Sequence, residues 1–344
     1  MYPTDSSVAN TKVRQLPLLL TLMMMGAGIV GCNIGPVEDA AIAPQPGTPQ
    51  QPIPCREVQH EAGVTSICGY PERVVALDPH AMDLLLSLGV QPIGYAEIDV
   101  ALLHPFSMGA EMTEIKYLGD RITAPPAYLG SRNQPSLETI LKLQPDLIVG
   151  EGASRFNYET LARLAPTLLL KGVEADQWQQ NIQTLAQAFG AEETAQAVIT
   201  AHNQTIETVR TAIAPAVAQR QGLLLATDGS SFTIFHDQQD YAGSLLRDVG
   251  ITLIDVEDNS YASLSVEILP ELEADFIIVM AASDNTVEAE QQRWQQSPVL
   301  RSLPAYQNNQ VYFVDYQLWS RIRGPIAAEL ILNDIQAILL TSND

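Results

Sequence analysis

Residues 191–214 contain neither Gly nor Pro and set Ile199, Ile206, Val209 and Ile213 at alternating three- and four-residue spacing, with His202 completing the stripe. That period is the signature of one amphipathic α-helix. At 1.5 Å per residue, a helix of about 24 residues spans about 36 Å. A rod of this length in mid-chain needs folded matter along it to cover its apolar stripe, and it gives His202 a packing role.

The flanking sequence supplies that matter in two similar portions. Ser136-Leu-Glu138 is followed, ten residues after its Ser, by Asp146-Leu-Ile-Val149, and Ser265-Val-Glu267 is followed at the same interval by Asp275-Phe-Ile-Ile278. Leu84-Leu85-x-x-Leu88-Gly89-Val90 is echoed by Leu245-Leu246-x-x-Val249-Gly250-Ile251, each a helix closing at Gly before a strand. The competing account is chance likeness between common helix–strand junctions.

Short apolar runs at 73–77, 90–94, 146–149, 223–226, 232–235 and 311–314 suit buried strands. Residues 82–88, 136–143 and 325–340 suit helices, with Ser136 as an N-cap and Pro325 in a first turn. Strands alternating with helices make parallel sheets. The expectation is an α/β protein of two similar lobes, each with a central mostly parallel sheet, joined by one long helix. The lobes are expected at 55–190 and 219–344, with the connecting helix at 191–218.

The N-terminus reads as an address. Lys12 and Arg14 precede an apolar run that ends in Ile29-Val30-Gly31-Cys32, the order of a secretory segment with small residues before cleavage. The ending resembles the bacterial lipoprotein box, which makes residues 1–31 a signal peptide and Cys32 the lipidated first residue. The rival, a retained membrane span, is disfavoured because the run is shorter than the ~20 residues a span needs. Gly26-x-Gly28-x-x-Gly31 mimics a dinucleotide fingerprint without the βαβ context that motif requires. Residues 32–54, rich in Pro, Gln, Ala and Gly, read as a flexible tether. Cys55 and Cys68 bracket a candidate hairpin turning at Ala62-Gly63; in an exported chain a disulfide is expected, against the alternative of an incomplete metal pair.

Charge excludes one class of partner. With 18 Lys plus Arg against 40 Asp plus Glu, the chain repels nucleic acid. No Gly-x-Ser-x-Gly elbow, phosphate-cradling Gly-x-x-x-x-Gly-Lys loop or His-Glu-x-x-His is present, and Asp228-Gly-Ser-Ser231 has no identifiable base beside it, so no enzyme activity is expected. The five His, at 60, 80, 104, 202 and 236, are scattered, so direct metal ligation is not expected.

Several passages together resemble one family. They are Arg73-Val-Val-Ala-Leu77, Gly130-Ser-Arg132-Asn-Gln-Pro-Ser-Leu-Glu138, Lys142-Leu-Gln-Pro-Asp146-Leu-Ile-Val149, Leu164-Ala-Pro-Thr167 and Val314-Asp-Tyr-x-Leu-Trp319-Ser-x-x-x-Gly324. They are similar to the periplasmic binding proteins for iron-siderophores and cobalamin, in particular the ferric-citrate branch, over about residues 57–342.

The resemblance implies a monomeric, lipid-anchored, exported protein that takes an anionic ferric siderophore, ferric-citrate-like or citrate-hydroxamate, between its lobes and passes it to an ABC permease with its ATPase. It implies no intrinsic cofactor; the iron arrives already chelated. Arg132 matches the family position that touches ligand. Arg155, Arg321 and Arg323 in predicted cleft loops, with Phe235, Tyr241, Tyr316 and Trp319 as aromatic lining, complete the expected ligand site. A haem or a corrinoid is the alternative ligand, with Tyr95 or His236 as axial candidates for haem iron. For permease docking the resemblance points to Glu159 and Glu267, with Glu138 as the internal-repeat alternative in the first lobe.

Overall fold

The computed structural model describes residues 54–98, 107–112, 114–172, 177–229, 231–235, 240–254, 263–282 and 285–341. The expected signal peptide, nearly all of the tether, the lipidation site Cys32, the haem candidate His236 and Ser230 lie outside the described residues.

The described chain begins with a hairpin, β1 (Cys55–His60) and β2 (Gly63–Cys68), whose register sets Cys55 opposite Cys68. The two cysteines are disulfide-bonded. Val58 and Ile67 point inward from the hairpin onto the main core.

The first lobe follows as β3 (Val74–Ala76), α1 (Pro79–Ser87), β4 (Gly94–Glu97), β5 (Ala127–Ser131), β6 (Gln134–Pro135), α2 (Leu137–Leu143), β7 (Leu147–Gly150), α3 (Tyr158–Leu161), β8 (Thr167–Leu169) and α4 (Gln177–Phe189). Its sheet has the order β6-β5-β4-β3-β7-β8, parallel except for β5–β6. The strand expected at 90–94 starts only at Gly94, after Pro92. Helix α1 starts three residues earlier than the apolar period suggests, because Asp78 caps it and Pro79 occupies its first turn.

The expected rod is α5 (Glu192–Val217), which runs on through Pro215. It buries Ala195, Ile206, Val209, Ile213 and Val217 and packs on α4 and on the C-terminal helix. His202 packs edge-on to Trp178 of α4, with ring centroids 5.0 Å apart.

The second lobe contains β9 (Gln221–Thr227), β10 (Phe232–Phe235), α6 (Tyr241–Asp248), β11 (Thr252–Leu253), β12 (Ser263–Leu264), β13 (Phe276–Ala281), α7 (Val287–Gln296), α8 (Pro298–Ser302), α9 (Pro304–Gln307), β14 (Val311–Asp315) and α10 (Pro325–Thr341). Strands β9, β13 and β14 are parallel neighbours, β11 pairs parallel with β9, and β10 and β12 run antiparallel. The two-lobed α/β architecture expected from the sequence is therefore present.

One apolar cluster reaches from Val58 through α1, α4, α5, α6 and α10 to Leu224 and Met280, so the lobes share a core. Separate clusters cover the other face of each sheet: Ile140 of α2 and Leu161 of α3 in the first lobe, and Trp294 with Phe232 and Ile277 in the second.

A polar clamp reinforces the shared core. The buried carboxylate of Asp83 in α1 accepts from Ile326 N at 3.1 Å and Ala327 N at 2.9 Å, two of the N–H groups that the first turn of α10 leaves unpaired. Gly324 permits the approach: a Cβ there would lie 2.3 Å from the Asp83 carboxyl carbon.

Candidate functional site

In α/β sheets ligands bind beyond the C-terminal ends of the strands, and here those ends from both lobes meet. The first lobe contributes Asp78 after β3, Glu97 at the end of β4, Arg132 after β5 and Glu151 after β7. The second contributes Asp315 at the end of β14, then a π-helical turn, Gln317–Ile322, and Arg323 in the left-handed region with φ 60°.

Polar contacts stitch the seam. Arg323 Nη2 donates to Glu151 Oε1 at 2.5 Å, Gln317 Nε2 to Glu97 Oε1 at 3.5 Å, and Lys116 pairs with Asp315. Arg132 Nη1 lies 3.5 Å from the same Glu151 oxygen, so one carboxylate serves two guanidinium groups. The π-helical turn and the left-handed Arg323 are two departures from ordinary backbone that aim this guanidinium across the seam.

Burial governs the titration of this floor. Burial first, then the charge of Glu151, pushes Asp78 up to about 7; its Oδ1 caps α1 through Ala81 N at 2.8 Å. His80 is lowered to about 4 by burial and by Arg323. It is therefore neutral near pH 7, with Nδ1 donating to Ile322 O at 3.3 Å and Nε2 accepting from Asn181 Nδ2 at 2.9 Å. Burial raises Glu97. Burial also opposes the charge of Glu151, but the charge and hydrogen bond of Arg323, with the charge of Arg132, outweigh it and hold that carboxyl below its usual range. Glu151 is thus the ionised carboxylate at the centre, with protonatable neighbours around it.

Arg321, half-buried, forms a second feature. Its guanidinium stacks over the Tyr316 ring at 4.6 Å and donates to the Tyr316 hydroxyl at 2.6 Å, while Phe235 meets Tyr316 edge-on at 6.4 Å between centroids. Arg321 meets no carboxylate at ion-pair distance among the described residues.

The sequence-selected residues divide accordingly. Arg132 and Arg323 meet on Glu151 at the seam, and Arg321, with Tyr316 and Phe235, forms a contact group of the second lobe beside Arg323, whose Nε donates to Arg321 O at 3.4 Å. Arg155 does not join them: it is exposed and pairs with Glu61 of the hairpin, because the chain after β7 turns toward β1 and β2. Tyr241 and Trp319 are core side chains instead of cleft lining, since each finds a partner for its polar atom inside. Tyr241 Oη donates to Gly324 O at 2.6 Å, and Trp319 Nε1 to Asp334 Oδ2 of α10 at 3.2 Å. Tyr95 is fully buried beside Glu97. Glu159, Glu267 and Glu138 are all exposed at helix starts; Glu138 pairs with Lys142, and Glu267 accepts from Ser265 Oγ at 2.5 Å.

Sequence reasoning missed Glu151, Asp78, Glu97 and His80. A signal was present for two of them: Asp78 precedes Pro79 as a cap precedes a first-turn proline, and Glu151 directly follows a four-residue buried strand.

Two α/β lobes sharing a core, with guanidinium and carboxylate groups opposed where the strand ends meet, define a two-lobed binding protein. Residues 74–318 match the family described as "Periplasmic binding protein", and the chain belongs to that family. It is 29% identical to the Fe(3+)-citrate-binding protein YfmC of Bacillus subtilis over 283 residues, covering 81% of this chain and 84% of that one. It is 30% identical to the putative ABC transporter substrate-binding lipoprotein YhfQ of Bacillus subtilis, covering 81% and 87%. The Fe(3+) dicitrate-binding periplasmic protein FecB of Escherichia coli is 28% identical, over 80% of this chain and 88% of its own. In fold the chain resembles Staphylococcus aureus SirA complexed with staphyloferrin B, with a TM-score of 0.67 at 24% identity, covering 83% and 98%. No helix among the described residues is long and apolar enough to cross a membrane.

Proposed function

We propose that this protein is the substrate-binding component of an ABC importer and that it captures an anionic, carboxylate-bearing ferric chelate between its lobes. The observation that carries the reading is the meeting of Arg132 and Arg323 at one seam of a strongly acidic chain, with Arg321 on the same turn as Arg323 and without a carboxylate at ion-pair distance among the described residues. Guanidinium forks match carboxylates bidentately, and clustered cations in a recess attract an anion more than scattered ones do. Relatives named for Fe(3+)-citrate and Fe(3+) dicitrate support this ligand class. Tyr316 and Phe235 supply apolar surface beside Arg321, suited to the organic part of a chelate. The protein acts by binding and delivery, without catalysis, as a monomer held to a membrane by lipid on Cys32.

Titration of the purified protein with ferric citrate, followed by intrinsic fluorescence, tests the ligand. Arg321→Ala should weaken binding by about 1.5–3 kcal/mol, the range for a charged hydrogen bond. Unchanged affinity rejects the site, and a Soret band on the protein as purified rejects the chelate in favour of haem.

Docking to the permease is assigned to exposed Glu159 on the first lobe and Glu267 on the second. A Glu159→Ala, Glu267→Ala variant should keep its ligand affinity and lose import, because removing exposed charges slows association without touching the cleft. Normal import by that variant rejects the assignment.

A further inference from the structure

Glu151 is an unusual group to find where an anionic ligand is to bind. Its side chain is only 5% exposed, yet just one of its oxygens is used: Oε1 faces both Arg323 and Arg132, while Oε2 is buried without a hydrogen-bond partner. Arg132 Nε and Asp78 Oδ2 nearby are also buried and unpartnered. Buried polar atoms are nearly always paired, so three orphans on neighbouring side chains at the seam mark a place where polar groups of another molecule belong.

The charges are also unequal. Two guanidinium groups, each with five donors in a fixed fork, share one carboxylate oxygen. Arg323 is 6% exposed and Arg132 18% exposed, so solvent makes up little of that deficit.

We propose that Glu151 is a specificity-determining residue: a built-in counter-anion that occupies the Arg132–Arg323 pair, so that an incoming ligand engages these arginines only by displacing or sharing with it. A ligand presenting several carboxylates outcompetes a single internal one, whereas a simple monoanion gains too little. Glu151 therefore filters for polyanionic chelates and lowers affinity for every anion, which is specificity obtained by a repulsive element. This inference rests on the cleft being the ferric-chelate site.

The test compares wild type with Glu151→Gln, which keeps the shape and removes the charge. The probes are ferric citrate and ferrioxamine B, a cationic hydroxamate complex of iron. Glu151→Gln should bind ferric citrate at least fivefold more tightly, with no gain for ferrioxamine B. It should also bind acetate, a simple monoanion, measurably, which wild type should not. A purely structural role predicts equal or weaker binding of both probes, and either that result or equal tightening of both overturns the proposal.

Removing one partner of a buried pair can unfold a protein, so Glu151→Asp serves as the second variant. It keeps the charge but withdraws it by one methylene, and its ferric-citrate affinity should fall between wild type and Glu151→Gln, or exceed wild type if Glu151→Gln does not fold. An Asp variant no tighter than wild type overturns the proposal. If wild type itself binds no ferric citrate, the underlying reading of the cleft fails and this inference with it. If wild type binds and the variants gain nothing, the inference alone fails.

Discussion

The two lobes solve the same local problems with the same residues and then diverge where they face each other. Asp146 precedes β7 and accepts from Glu72 N and Arg73 N; Asp275 precedes β13 and accepts from Gln221 N. Each acid thereby ties the start of its own strand to the start of a parallel neighbour. Gly89 and Gly250 close α1 and α6 at φ 78° and 89°, and the following Val90 and Ile251 each donate back five residues, to Leu85 and Leu246. Asp78 and Asp240 cap those helices, and burial raises both, to about 7 and about 6.

Divergence begins one residue at a time. Ser136 caps the regular helix α2, but its counterpart Ser265 leads a 3-10 stretch, Val266–Leu272, that contains Pro270 and has no side-chain cap. Before the paired leucines the first lobe has Asp83, which reaches across to α10; the second has Ser244, which turns back to Tyr241 O within its own helix. At the seam the first lobe offers chiefly carboxylates and the second a pair of arginines. A repeated scaffold has thus been kept where strands and helices join and altered where the lobes meet.

The largest test of that contrast is Arg323→Leu. It strands Glu151 as a buried charge held only by the more distant Arg132, and should cost about 3–5 kcal/mol of stability in denaturant titration. A loss below about 1 kcal/mol would mean the seam is hydrated and the lobes are coupled by apolar packing alone.

Asp83→Asn comes next, at about 1–2 kcal/mol near pH 5, since one of two backbone donors loses its acceptor. The pH dependence carries the finer information. Burial raises Asp83 from its usual carboxylate value of 3.8 to about 7, so the folded state holds the proton more tightly than the unfolded state. The stabilisation this gives is complete below about pH 4 and is lost as pH rises toward 7. Asn has no such loss, so the gap between wild type and variant should narrow between pH 5 and pH 7.5, and a constant gap would contradict the buried-carboxylate account.

The smallest expected effect sharpens the repeat itself. Asp146→Ala removes the acceptor of two exposed backbone N–H groups and Asp275→Ala that of one, so the first should cost about 1 kcal/mol and the second about half as much. Equal costs would show that the two junctions are more alike in energy than their hydrogen bonds indicate.

What the sequence determined by itself is everything that depends on neighbours along the chain. The 3.6-residue period of α5, the Ser136 cap, the glycine closures at Gly89 and Gly250 and the hairpin that pairs Cys55 with Cys68 are set by local sterics and short-range burial. Of the site, the arginines near the strand ends were legible as charge in predicted loops. Their partners were not. Arg155 was readable as a strand-end residue, but its direction toward Glu61 follows from how the hairpin packs. Trp319 and Tyr241 looked like lining because aromatic type does not reveal which way a side chain turns. Glu151 and Arg323, 172 residues apart, meet only because two loops leave their sheets on converging paths, and Arg323 reaches the meeting point through a π-helical turn that no propensity encodes. Local pattern reports whether a residue is buried; only tertiary structure decides against what, because charge pairing acts through space between loops whose course the packing of both lobes sets.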